Sequence, residues 1–214
     1  MAEIQRFTDR TDAGERLGDE LKARGIEVDI VLAIPRGGLP LGRAVADTLG
    51  VPLDIVVASK IGAPGNPEYA IGAVASDGSV WRNEEAIRFT GTDEAYFEEQ
   101  RQKEAETARQ KADRYRNGGP PPELADKAIV IVDDGVATGS TVKACLLQLQ
   151  GTGAGRIVLA VPVGPPDTID DLSEFADEVV CLLTPDSFRG VGQFYDRFDQ
   201  VSDEEAMRYL ERDE

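Results

Sequence analysis

At 214 residues with 41% hydrophobic content, the chain is long enough for one globular domain with its own core and a small appended part. It has no histidine and only two cysteines, far apart. This excludes histidine triads, histidine bases and histidine metal sites, and leaves no CxxC pair for structural zinc. Its 23 basic against 40 acidic residues, formally −17, argue against general nucleic-acid binding, which needs positive charge to displace counterions.

Six lysines stand against 17 arginines. An acid-rich, lysine-poor surface suits a high-salt cytoplasm, where screening suppresses self-repulsion, so a halophilic source is expected. No apolar run approaches the ~20 residues that span a membrane, and the start "MAEIQRFTDRTDAGERL" lacks the apolar centre of a signal peptide. The expectation is a cytoplasmic protein with no membrane partner.

In chain order, "VDIVLAI" (28–34) reads as a buried strand and "LGRAVADTLG" after it has helical spacing. "LDIVVAS" (53–59) reads as a second short strand, closed by Lys60. In "YAIGAVASDGSVWR" (69–82), Asp77–Gly78 between strand-like segments signals a hairpin. Residues 93–117 form a long, charged helix candidate closed by "NGGPPPE". "IVIV", "RIVLAVPV" and "EVVCLL" are three further apolar runs. After the first of them, Val142, Cys145, Leu146 and Leu149 fall at i, i+3, i+4 and i+7, and Gly151 and Gly153 stop the helix. Cys145 on that helix and Cys181 in "EVVCLL" are expected to be inert buried thiols.

Continuous apolar strands alternating with helices predict an α/β fold, a mostly parallel five-stranded sheet with helices on both faces. A long loop and helix insertion at 61–117 and a small aromatic-bearing hood at 185–214 complete a single domain over 1–214.

The chemistry concentrates in "IVIVDDGVATGST" (129–141). In an open α/β sheet, ligands bind beyond the carboxyl ends of the strands, and Asp133 and Asp134 lie at such an end. The helix that follows offers unpaired N–H groups and a favourable dipole, so a phosphate is expected on Ala137, Thr138, Gly139, Ser140 and Thr141. The carboxylates suit vicinal hydroxyls or a hard cation such as Mg2+. A sugar with two free hydroxyls and a 5-phosphate satisfies both halves.

This stretch resembles the binding motif for phosphoribosyl pyrophosphate (PRPP) in type I phosphoribosyltransferases, and the resemblance extends over nearly the whole chain. It implies that Asp133 and Asp134 contact the ribose hydroxyls and Mg2+, and that the following loop holds the 5-phosphate. A pyrophosphate loop follows the family's first core strand. Here that is "AIPRGGLPLG", with Arg36, Gly37 and Gly38 at the ligand and a cis peptide at Pro35–Arg36. Lys60 resembles a lysine directed at pyrophosphate, and with Arg36 it would stabilise the leaving group. Within the 61–117 segment, matching the family's mobile loop, Arg101 and Lys103 could also reach it. "PDSFRGVGQFYDRF" resembles a hypoxanthine-guanine-type hood, which implies base stacking by Phe188 and a second metal contact from Asp196. Ala137 departs from that class, which carries an aspartate there, and agrees instead with adenine- and uracil-type members.

The resemblance thus implies a Mg2+-dependent transfer of phosphoribosyl from PRPP to a nitrogen nucleophile, of the nucleobase kind used in nucleotide salvage. A non-catalytic PRPP sensor is the alternative. Family members are often dimers, so a homodimer is open.

Overall fold

The computed structural model describes residues 6–211. In chain order the elements are α1 (Arg10–Ala23), β1 (Ile30–Ala33), α2 (Gly38–Leu49), β2 (Leu53–Ile55), β3 (Ala58–Ala63), β4 (Asn66–Ala75), β5 (Val80–Arg82), α3 (Glu84–Thr90), α4 (Glu94–Tyr115), β6 (Ala128–Val132), α5 (Ser140–Gln150), β7 (Arg156–Val163), α6 (Pro166–Leu172), β8 (Glu178–Leu183) and α7 (Asp203–Arg208). A 3-10 turn spans Val191–Phe194. The chain divides into two compact units: one takes in the described residues up to 55, 122–138 and from 153 on, the other 56–121 and 139–152.

The first unit is built on a five-stranded sheet of order β2-β1-β6-β7-β8, every pairing parallel. This is the α/β sheet that the alternation predicts. β1 is buried at all four positions and β7 at seven of eight, which is why these strands read as unbroken apolar runs rather than alternating ones. α1 starts at Asp9, whose carboxylate caps the N–H groups of Thr11 and Asp12, and buries Ala13, Leu17 and Leu21. It packs on α2 through Gly14 and Gly18, where any side chain would run into Leu41 and Ala44 or into Thr48.

The second unit holds the antiparallel sheet β3-β4-β5, on which α4 and α5 pack. The Asp77–Gly78 hairpin is present: Ala75 N–H donates to the Ser79 carbonyl at 2.8 Å, and Gly78 takes φ +94°. α4 begins at Asp93, which caps the Tyr96 N–H, and buries Phe97, Ala105, Ala108, Ala112 and Tyr115 along one stripe. Phe97 joins Ile61, Ile71, Val74 and Ile87 in a local core. In α5, Val142, Cys145, Leu146 and Leu149 are buried as their spacing predicts.

Two expectations need correction. "LDIVVAS" is not one strand: β2 ends at Ile55 and β3 begins at Ala58 in the other sheet. Ile55, Val56 and Val57 are all buried, so hydrophobicity runs straight through a point where the pairing partner changes. Lys60 therefore does not close the second strand; it is the third residue of β3, opposite Ala73. Cys181 is only half-buried on β8, although burial still pushes its thiol up to about 11, far from thiolate chemistry at neutral pH.

Candidate functional site

Two loops leave the carboxyl ends of neighbouring strands in the first unit. β1 and β6 are in register at Ala33 and Val132, and the Ile34 N–H donates to the Val132 carbonyl at 3.0 Å. The chain leaves both strands at the same level, and Ile34–Gly38 lies beside Val132–Asp134. The Pro35–Arg36 peptide is cis, as the resemblance implies. Arg36 is exposed, while Gly38 is buried at the start of α2.

The contact between the loops is close. A side chain on Gly38 would lie 3.0 Å from the Val132 carbonyl and 3.3 Å from Asp133 Oδ1, and one on Gly37 would collide with the Asp134 carboxylate. Space thus requires glycine at Gly37, while Gly38 sits in a tight but less exclusive contact with Val132 and Asp133.

The acid loop is fastened along its length. Asp134 N–H donates to Asp133 Oδ1 at 2.9 Å, Val136 N–H to the Val163 carbonyl at 2.9 Å, and Thr168 Oγ1 to the Ala137 carbonyl at 2.9 Å. Ala137 and Thr138 remain exposed. Gly139 follows at φ +71°, a left-handed conformation that costs ordinary residues about 1–2 kcal/mol, and α5 starts directly after it at Ser140 and Thr141. Having no side chain, Gly139 offers no cap to this helix terminus.

The hood residues lie in the same unit. Phe188 stacks on Phe194 with ring centroids 5.7 Å apart and stays partly exposed. Asp196 is exposed, 3.4 Å from Arg6 Nη1, and its N–H donates to the Phe7 carbonyl. In the second unit, Lys60 Nζ donates to Glu68 Oε2 at 3.0 Å and to the Glu68 carbonyl at 3.2 Å. Arg101 is held by Glu98 through bonds of 2.7 and 2.6 Å, and Lys103 is exposed.

A glycine-bearing loop and an acid pair packed together at adjacent parallel strand ends agree with what comparison finds: residues 3–199 match the phosphoribosyl transferase domain family. The chain belongs to this family. It is 42% identical over 206 residues to a protein, found in two Mycobacterium tuberculosis strains, that carries the provisional name of a phosphoribosyl transferase. The alignment covers 96% of this chain and 46% of that protein, so the chain spans about half the length of the curated relatives it matches. Protein TT1426 from Thermus thermophilus has a crystal structure 40% identical in sequence, with a TM-score of 0.82, covering 96% of this chain and 98% of that one. A purine phosphoribosyltransferase from Pyrococcus horikoshii, at 19% identity and TM-score 0.50 over 90% and 93% of the two chains, shares the fold alone.

In this phosphoribosyl transferase domain, sequence reasoning missed two residues that touch the acid pair. Arg10 Nε donates to Asp134 Oδ2 at 2.7 Å, and the Tyr195 hydroxyl donates to the Asp134 carbonyl at 2.6 Å. Burial pushes the Asp134 carboxyl up from its ordinary value, against the pull of Arg10's hydrogen bond and charge. Burial also pushes the Tyr195 phenol well up, with Asp134's charge adding to the effect, which keeps it a donor. The one signal for Arg10 is its place at the first helical position of α1, where the helix dipole favours acids and an arginine needs another reason to be. Tyr195 carries no signal beyond its hood.

Among the described residues, no group of three or more acids or cysteines is placed to hold a metal. Mg2+ does not need one: it is commonly held through one or two carboxylates together with substrate phosphates, and a two-aspartate strand end fits that donor set. No helix among the described residues is long and apolar enough to cross a membrane.

Proposed function

We propose that this domain binds PRPP and transfers its 5-phosphoribosyl group to a nitrogen nucleophile of the nucleobase kind, releasing pyrophosphate. The observation that carries the reading is the packing of the Gly37–Gly38 loop against Asp133 and Asp134. A ligand with pyrophosphate on one carbon and hydroxyls on the next two spans just such a pair of loops. In this reading Arg36, Gly37, Gly38 and Lys60 take the pyrophosphate, while Asp133 and Asp134 take the ribose side. Ala137, Thr138, Gly139, Ser140 and Thr141 take the 5-phosphate.

The nucleophile attacks C1′ as the C1′–oxygen bond breaks, the configuration inverts, and the transition state has oxocarbenium character. The chain's contribution is positioning and charge: Arg36 and Lys60 offset the charge growing on pyrophosphate, and the acids stabilise the positive ribose. Mg2+, when held by Asp133 and Asp134, would neutralise pyrophosphate charge further. Phe188, with one face on Phe194, would stack on the base, and Asp196 would take a second metal. The setting is the cytoplasm of a halophilic source.

A second reading, a PRPP-binding protein that does not turn it over, draws support from Lys60. Its ammonium is engaged by Glu68, so its work on a leaving group requires that pair to open.

The test is pyrophosphate release in molar KCl with Mg2+ and PRPP over a panel of purines, pyrimidines and other nitrogen nucleophiles, beside Asp133→Ala/Asp134→Ala. Release that depends on one acceptor and is lost in the variant supports the transferase. Tight PRPP binding with no turnover supports the second reading, and no binding removes both. The net charge of −17 carries its own prediction. Between 0.1 and 1 M KCl the Debye length falls from about 10 to about 3 Å, so melting should rise by about 5 °C or more. A melting point that stays flat across this range in calorimetry would count against the high-salt reading.

A further inference from the structure

Arg10 is committed on every side. Its side chain is only 11% exposed. Besides the Asp134 bond, Nη1 donates to the Asp199 carbonyl at 2.7 Å, and its guanidinium carbon lies 3.9 Å from the Phe198 ring centroid. Phe198 in turn packs on Tyr195 at 4.9 Å, and Tyr195 on Phe7 at 5.4 Å. Asp134 is equally committed: Arg10 holds the carboxylate, Tyr195 holds the carbonyl, and the carboxylate fills the space where a side chain on Gly37 would be. Gly37 has φ −60°, open to any residue, so it is glycine for room and not for conformation, and Asp134 takes up that room.

Resting on the PRPP reading above, we propose that Arg10 is a positioning residue: it seats Asp134 against Gly37, so registers the Pro35–Gly38 loop to the acid loop, and ties both to the C-terminal segment.

The experiment combines PRPP titration by calorimetry, in KCl with Mg2+, with melts of the ligand-free chain. Arg10→Met should weaken PRPP binding about tenfold, and Arg10→Lys should recover most of it, since a positive donor is kept. Gly37→Ala should lower the melting point in the native background and cost far less alongside Asp134→Ala, which vacates the contested space. Asp134→Ser supplies the same comparison should Asp134→Ala not fold. The proposal is overturned if Gly37→Ala costs the same in both backgrounds or if Arg10→Met leaves PRPP affinity within about twofold. A native chain that binds no PRPP removes the function reading. The Gly37–Asp134 coupling in the melts then decides the positioning role alone.

Discussion

Asp133→Asn is expected to weaken PRPP binding by about 30- to 100-fold while leaving the melting temperature nearly unchanged. Asp133 Oδ1 accepts the Asp134 N–H at 2.9 Å, and an asparagine Oδ1 can accept the same bond, so the loop keeps its local geometry. What is lost is charge. Hydrogen bonds to an ionised carboxylate are worth roughly 1.5–3 kcal/mol each against roughly 0.5–1.5 for neutral ones, so each ribose bond loses about 1–1.5 kcal/mol. At about 1.4 kcal/mol per factor of ten, two such bonds amount to about 30- to 100-fold. Calorimetric titration and a thermal melt on the same preparation check it. Full-strength binding in the variant would remove Asp133 from the site, and a collapsed melting point would make its role structural.

Phe97→Ala should be the most damaging single change in the second unit, costing about 3–5 kcal/mol. Phe97 is 1% exposed and packs among Ile61, Ile71, Val74 and Ile87. Its ring is covered by the Arg82 guanidinium, 4.2 Å from the centroid, and that arginine is itself clamped to Glu94 by two bonds of 2.8 Å. On another side the ring approaches Gly72 so closely that a Cβ there would stand 3.1 Å from Cε2. A cavity at Phe97 therefore removes contacts from a helix and a sheet at once. Phe97→Leu, which keeps most of the volume, should cost about 1–1.5 kcal/mol. Denaturant unfolding of both variants is the check. A loss under about 1 kcal/mol for Phe97→Ala would mean that this cluster is not the core that holds α4 to β3 and β4.

Much of the fold was legible because its signals are local. The apolar runs at 30–34, 129–132 and 157–163 are short, unbroken and buried, as interior strands require, although the first was read from residue 28 and Asp29 is exposed; the helical spacing from Val142 to Leu149 follows from a 3.6-residue period. Asp77–Gly78 demanded a turn for a backbone reason contained in two residues. That an acid pair would end a strand and a small hydroxylic loop would lead into a helix was legible for the same kind of reason, since nine consecutive residues carry that pattern. Positions that depend on distant partners were not legible. Lys60 looked like a strand end because apolar sequence runs unbroken from Ile55 through Val57, yet pairing with Ala73 puts it inside another sheet. Arg10 meets Asp134 across 124 positions and Tyr195 reaches it across 61, separations at which no periodicity or capping rule applies. By itself, then, the sequence determined the strand–helix alternation and the place of the acid pair at a strand end, because those depend on neighbours along the chain. Only the tertiary structure decided which acid is bound to Arg10, and why Gly37 must be glycine, because burial and close packing set both.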